Sequence, residues 1–406
     1  LVSFSTASHL WANDNAIKGK SVRWALAKSQ FSHSWRLADS PRSQPIVNFE
    51  RSIVRPLTNT RHILVRCPNW VGDLIMATPL FECLRKNLPE VRITALTRAY
   101  NAKIIEDAPW VDAIIPCEDK SYAGLLQTAR AVKASGADAA VLLPNSLRAY
   151  LPVRMAGIKS IYGYRRGVRK HLVEGPLPAR DGHGILPLPM VDFYLELCRW
   201  LGLALPEHPE PSLYVSEALA DDAGRLLKNY GITDRDMVIG LNPGAKFGSS
   251  KCWPPEYFAR LAEMLAAQWN CRMLLFVGPG ETQIADEIMA RTKAQLINTD
   301  SDRIDLGLLK PMIRRCDLLI TNDTGPRHYA VAFKRPVVAI IGPTDPRYTS
   351  RNLEQTVVLR KELPCAPCHR KNCPEKHECM RGITPEEVLA AATRLLSNPE
   401  TNGKPA

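Results

Sequence analysis

Four short segments carry residue types that could do chemistry together. The first, RCPNWVGDLIMATP from Arg66, follows the apolar run HILV and sets a carboxylate, Asp73, directly after Gly72 at the mouth of a helix. An acid there is favoured simply because a helix N-terminus is partly positive. Yet the end of a parallel strand is also where α/β proteins hold ligands, and a carboxylate so placed can take a proton. The second, NPGAKFGSSKCWPPEYF, ends a strand at Asn242, Pro243 and Gly244. A Gly/Ser loop then carries Lys246 and Lys251 up to Trp253-Pro254-Pro255, which reads as a helix start. A lysine on such a loop can meet a phosphate as a point charge; the plain alternative is a solvated surface lysine.

The third segment, ITNDTGPRHYAVAF, runs from a buried strand through Asp323, Thr324 and Gly325 into an apolar helix. Asp323 or Thr324 could serve only as an N-cap. A small residue followed by Gly also bares backbone N–H groups at a helix N-terminus, a ready anion site, and Arg327 and His328 add donors. A first turn with Arg and His is electrostatically odd unless an anion lies against it. In the fourth, LLFVGPGE, Glu281 follows Gly280 at a strand end. An acid there can accept hydrogen bonds from ribose hydroxyls, or be an ordinary helix-start glutamate.

Positioning these residues requires strands that end in one place. From His62 onward, runs rich in β-branched residues (HILVR, RITALT, DAIIPC, DAAVLLP, SIYGY) alternate with helical stretches such as LFECLRKNL and YAGLLQTARAVKAS. A Pro-rich irregular stretch, EGPLPARDGHGILPLP, and a helix, MVDFYLELCRWLGL, come next, and PEHPEPSLYVS reads as a linker. A second alternating set follows: MVIGLNPG, RMLLFVG, QLINT, DLLITND, VVAIIG and TVVLR. Alternation of this kind implies parallel sheets covered by helices. Two such sets predict an α/β protein of two Rossmann-like domains, residues 61–210 and 211–397, facing each other across a cleft. No GxGxxG follows any strand and there is no GxxxxGK[ST], so neither a nicotinamide-cofactor domain nor a P-loop ATPase is supported.

The chain has 406 residues, 45% hydrophobic and 23% charged, a profile that excludes a disordered protein. Its longest apolar runs, such as VVAII from Val337, are too short to cross a bilayer. A net charge of +12 favours acidic partners: phosphorylated substrates, anionic lipid headgroups or nucleic acid. Residues 1–60 hold eight Lys or Arg against three acids, are Ser-rich and begin with Leu. They read as a disordered or artefactual extension with a transit-peptide-like composition.

The segments WVGDLIMATP, NPGAKFGSSKCWP and TNDTGPRHYA resemble the signatures of the ADP-heptose:lipopolysaccharide heptosyltransferases, inverting glycosyltransferases of the GT-B fold. LLPNS from Leu142 and AGIKSIYGYRRG from Ala156 are most similar to the second heptosyltransferase of the pathway, and the resemblance covers roughly residues 62–397. It implies Asp73 as catalytic base, Lys251 rather than Lys246 as the phosphate-binding lysine, and Asp323, Thr324, Gly325 and His328 as nucleotide-binding residues. It implies Glu281 as a further nucleotide contact. Pro326-Arg327 departs from the two apolar residues of the proteobacterial motif and adds a charge beside the pyrophosphate. The donor is then an ADP-heptose, and the acceptor a lipid A–Kdo inner core on the cytoplasmic face of the inner membrane. No metal is needed for the transfer, because fixed cations and backbone dipoles meet the leaving diphosphate.

Two clusters remain. YGYRRGVRKH (Arg165, Arg166, Arg169, Lys170, His171) is the densest basic run of the body. A charge run is by default a solvated loop. At the cleft mouth it can instead bind acceptor anions and hold the enzyme peripherally at an anionic leaflet. Cys365, Cys368, Cys373 and Cys379 have spacings that suit a structural zinc knuckle, with reduced thiols in a compact loop as the alternative. A nucleic-acid-binding module would leave the strand-end constellation without a use, so nucleic acid is not expected as a partner. Two further alternatives stay open: another donor or acceptor within the family, and a non-catalytic sugar-nucleotide-binding protein.

Overall fold

The computed structural model describes residue 57 and residues 59–182 and 184–397. Most of the expected extension, residues 1–60, lies outside the described residues, although Leu57 is already buried in the first core.

Each alternating set forms its own all-parallel sheet. The first contains β1 (His62–Arg66), β2 (Arg92–Thr97), β3 (Ala113–Pro116), β4 (Ala139–Leu142) and β5 (Ser160–Gly163), in the order β3-β2-β1-β4-β5. A short antiparallel hairpin, β6 (Arg180–Asp181) and β7 (Gly184–Ile185), interrupts the Pro-rich stretch, where the sequence suggests only irregular chain. The second sheet contains β8 (Met237–Asn242), β9 (Cys271–Leu275), β10 (Leu296–Asn298), β11 (Leu318–Asn322), β12 (Val337–Ile341) and β13 (Thr356–Arg360), in the order β10-β9-β8-β11-β12-β13. The central strands β1, β11 and β12 are buried along their whole length. Helices cover both faces, so these strands carry unbroken apolar runs rather than alternation.

In both sheets the strand order reverses next to the strand that opens the domain. That point lies between β1 and β4 in the first sheet and between β8 and β11 in the second. The crevice beyond the carboxyl ends of such strands is where open α/β sheets bind ligands. Asp73 follows β1, Asn242 ends β8 and Asp323 follows β11, so three of the chemistry-bearing segments leave from switch points.

The two sheets belong to one packed body. A buried apolar cluster joins Ile63 and Val65 of the first sheet with Leu319 and Tyr329 of the second half. The Met190–Trp200 helix packs on the Thr78–Asn87 helix of the first domain. Polar links cross as well: Asn352 donates to the Pro209 carbonyl at 3.1 Å, and Lys310 Nζ to the Glu106 carbonyl at 3.3 Å.

Candidate active site

The Val71–Met76 helix after β1 and the Gly325–Ala332 helix after β11 start against each other. The contact is closer than any side chain would allow. A Cβ on Gly72 would stand 2.5 Å from Cδ2 of His328, and one on Gly325 would stand 2.7 Å from Cγ1 of Val71. Gly72 is therefore needed for close approach between the domains. Neither helix start is closed by a side-chain cap, so the first-turn N–H groups of both are left for a ligand or solvent.

Asp73 lies in the first turn of its helix and is partly buried. Loss of water pushes its carboxyl up to about 6; Lys251 works against this rise and Asp323 adds to it. Those influences place Asp73, from the first domain, within electrostatic reach of Lys251 and Asp323 of the second.

Asp323 organises the second half of the site. Its Oδ2 accepts from Lys251 Nζ at 2.9 Å and from the Thr344 hydroxyl at 2.6 Å, and its Oδ1 accepts from Arg327 Nη1 at 3.0 Å. Burial alone would raise its pKa, but Lys251, Arg327 and Thr344 outweigh it and hold the carboxyl well below the usual carboxylate range. Lys251 also donates to the Asp323 carbonyl at 2.8 Å and stands 5.3 Å above the Phe247 ring. Its loop is fixed from below. The Asn322 amide donates to the Pro243 carbonyl at 2.6 Å and accepts from the Trp253 N–H at 3.1 Å, and the fully buried Trp253 indole donates to the Ile383 carbonyl. Asn242 donates to the hydroxyls of Thr321 and Thr324, each at 3.0 Å, so Thr324 is held back from capping its own helix.

Arg327 is expected from the sequence to donate to a bound anion. In the structure its guanidinium is 1% exposed and turned to Asp323, the Thr349 hydroxyl and the Thr349 carbonyl. It positions Asp323 instead. His328 is buried against Gly72, and burial with Arg327 beside it lowers its pKa to about 3, so it faces the cleft as a neutral ring.

The sequence profile of glycosyltransferase family 9 (heptosyltransferase) matches residues 125–378. The chain belongs to that family. It is similar to lipooligosaccharide heptosyltransferase 2 of Campylobacter jejuni, 26% identical over 340 residues, covering 83% of this chain and 98% of the relative. The solved structure of Escherichia coli ADP-heptose lipopolysaccharide heptosyltransferase II aligns at 27% identity with a TM-score of 0.68, over 82% of this chain and 98% of that one. A family 9 glycosyltransferase from Veillonella parvula shares the fold at 24% identity and a TM-score of 0.73, over 85% of this chain and 99% of that one. The two facing parallel sheets are accordingly a GT-B arrangement, and this family 9 protein is an enzyme of glycosyl transfer.

The remaining candidate residues of this glycosyltransferase sit around that centre. The Glu281 carboxylate folds over Gly244, filling the space a side chain there would need, and accepts from the Gly278 N–H at 2.9 Å. Burial raises its pKa, against the Gly278 bond and the nearby Lys246. The basic run is split. Arg169 is buried and donates to the Pro144 carbonyl, so it braces the loop rather than facing solvent. Arg165 donates to the Lys170 carbonyl at 3.1 Å, and the Arg166 charge acts on Tyr348 of the second domain, which sets these two at the cleft lip.

The cysteine loop lies directly under the Lys251 turn. Ser250 N donates to the Lys371 carbonyl at 3.0 Å, the Ser250 hydroxyl to the Arg370 carbonyl at 2.5 Å, and His377 Nε2 meets the Ser250 carbonyl at 2.7 Å. Cys379 is pushed up to about 11 by burial and by Cys373, Cys368 and Cys365 nearby. The four thiols are neighbours, but among the described residues no three His, Cys, Asp or Glu side chains converge as metal ligands would. Sequence reasoning did not single out Trp70, whose ring lies 6.4 Å from that of Phe247 across the cleft, nor Thr344 on Asp323. Trp70 is 52% exposed, and the only signal in the sequence was a tryptophan three residues before a candidate base.

Proposed function

We propose that the protein is an inverting, heptosyltransferase II-like enzyme that moves heptose from an ADP-heptose to the inner core of a lipid A–Kdo acceptor. The observation that carries this reading is Asp73, a carboxylate with a pKa near 6, set against Lys251 and an uncapped helix N-terminus across the domain boundary. A base is thus on one wall and a diphosphate cradle on the other. The names of the relatives, lipooligosaccharide heptosyltransferase 2 and ADP-heptose lipopolysaccharide heptosyltransferase II, support an ADP-heptose donor and a lipopolysaccharide-type acceptor.

Asp73 takes the proton of the attacking acceptor hydroxyl as that oxygen bonds to the anomeric carbon from the face opposite ADP. The carbon–oxygen bond to the β-phosphate breaks and its electron pair leaves with the diphosphate. Lys251 and the N–H groups at the start of the Gly325–Ala332 helix meet the growing charge. Asp323 holds Lys251 in place, and Gly244 with Glu281 shapes the nucleoside side of the pocket. The transfer step needs no metal on this reading.

Arg165 and Arg166 at the cleft lip suit the carboxylates and phosphates of the acceptor. The acceptor is then met from the surface of the cytoplasmic leaflet; among the described residues no helix is long and apolar enough to cross a membrane. The deciding experiment is radiolabel transfer from ADP-heptose to truncated Kdo-lipid A acceptors. No product with any acceptor, alongside intact ADP binding, would leave a non-catalytic sugar-nucleotide-binding protein; product with another ADP-sugar would move the assignment within the family.

A further inference from the structure

The Leu147–Met155 helix takes no part in the chemistry above, yet its outward face is apolar. Its inner side, Ala149, Tyr150, Pro152 and Val153, is buried against the first domain. On the outer side Leu147, Leu151 and Met155 are 41%, 41% and 47% exposed. Spaced four residues apart, they form one stripe along the helix, and Arg148 and Arg154 are exposed beside it.

The Gly167–His171 turn is tied to the start of this helix and carries exposed apolar residues of its own. The buried Arg169 of that turn donates to the carbonyl of Pro144, just before the helix begins, which fixes turn and helix side by side. Val168 and Leu172 of this segment are 73% and 40% exposed, with Lys170 and His171 exposed between them. From Pro144 to Val173 the chain contains seven Lys or Arg and no Asp or Glu, and all of the seven but the buried Arg169 reach the surface. Single exposed apolar residues need no explanation, but three in one row along a helix, with exposed arginines beside them, mark an interaction surface.

We propose that this face, the Leu147–Met155 helix with the Gly167–Leu172 turn, is where the protein lies on an anionic lipid leaflet. Aliphatic side chains enter the boundary between headgroups and acyl chains, while the surrounding arginines and lysines meet lipid phosphates. The charge pattern selects this partner, since a stretch of thirty residues with no acid complements a uniformly negative surface. Aliphatic rather than aromatic side chains dominate the face, which disfavours nucleic acid, where bases stack on aromatic rings. The proposal rests on and sharpens the reading of a membrane-borne acceptor. Arg165 and Arg166 enter the same turn at the cleft lip, so a leaflet on this face would present its headgroups beside the cleft.

The test is co-sedimentation of the full chain with vesicles of phosphatidylcholine alone and of phosphatidylcholine mixed with phosphatidylglycerol. Binding is expected only to the mixed vesicles and should weaken with added salt. The triple variant L147S/L151S/M155S should lower the partition coefficient on the order of tenfold or more, with a circular-dichroism spectrum and ADP affinity like wild type. Replacing Arg148 and Lys170 by Ala is a second variant that leaves the apolar stripe intact, and it too should weaken binding. Equal partition of wild type and both variants would overturn the proposal. So would a change of oligomeric state in the triple variant with vesicle binding retained, which would assign the face to a second copy. Vesicle binding is read without any sugar donor, so failure of heptose transfer leaves this result standing and the reverse holds too.

Discussion

Lys251 Nζ stands 2.9 Å from the Asp323 carboxylate and 2.8 Å from the Asp323 carbonyl, and the same carboxylate accepts from Arg327 on its other oxygen. One negative charge thus lies between two cations, and an ammonium with three N–H donors directs two of them to Asp323. The third remains for an anion at the cleft. Lys251→Ala should remove that contact, which as a charge-assisted bond is worth about 1.5–3 kcal/mol, so ADP affinity should fall about ten- to a hundredfold. Lys246, five residues earlier in the same loop, is the control. Calorimetry giving equal ADP affinity for wild type and Lys251→Ala would move the nucleotide elsewhere.

The raised pKa of Asp73 makes a pH prediction. Its carboxyl is protonated below about 6 and cannot then accept the acceptor's proton. The transfer rate should therefore fall roughly tenfold per pH unit on the acid side of that value and level off above it. Lys251 works to lower the Asp73 pKa. In Lys251→Ala the acid limb should shift to higher pH, a direction that loss of donor binding alone would not produce. Asp73→Asn should cut kcat by about 10²–10⁴ with little change in ADP affinity. A pH profile flat from 5 to 8 at saturating substrate would remove Asp73 from the proton transfer.

Much of this was legible in the sequence. All eleven strands of the two parallel sheets fall on runs that alternation marks, because buried parallel strands must be continuously apolar. The β6–β7 hairpin was not, since two-residue strands carry no periodic signal. Among the site residues, Asp73, Lys251, Asp323 and Thr324 could be picked out because each lies just past a strand end in a segment that resembles the heptosyltransferase signatures. The direction of a side chain could not. Arg327 reads as an anion donor in one dimension, and only packing shows that its two terminal nitrogens are engaged by Thr349, twenty-two residues on, and Asp323. The support of the Lys251 turn by a loop more than a hundred residues later is a tertiary fact with no local trace.

The Gly72–His328 contact gives a test of how domain closure serves the reaction. Gly72→Ala places a methyl 2.5 Å from the imidazole, so the ring must move or the domains must part. Overpacking of this kind costs about 1–3 kcal/mol, and a parted cleft takes Asp73 away from the donor. We expect kcat to drop while ADP affinity, set within the second domain, stays close to wild type. Adding His328→Ala should recover part of the lost stability, because the clash partner is gone. Additive destabilisation of the two substitutions in thermal melts would show that they do not meet.

The cysteine loop yields the last prediction. Ser250, next to Lys251, is held by Arg370, Lys371 and His377, all from that loop. Any loosening there should reach Lys251 before it reaches the core. His377→Ala removes the contact to the Ser250 carbonyl, worth about 0.5–1.5 kcal/mol. ADP affinity should fall a few-fold, while the Asp73-dependent acid limb of the pH profile stays in place. The turn is held here by the hydrogen bonds from Ser250 to Arg370 and Lys371 and by the His377 contact. A strong chelator should leave ADP affinity and transfer intact, because Lys251 and the helix N-terminus meet the leaving diphosphate. Stoichiometric zinc in freshly reduced protein, lost together with ADP affinity in Cys368→Ser, would show instead that a metal ion closes the loop. In that case Cys365, Cys368, Cys373 and Cys379 would have to rotate inward on binding it, with His377 still carrying the link to the donor site.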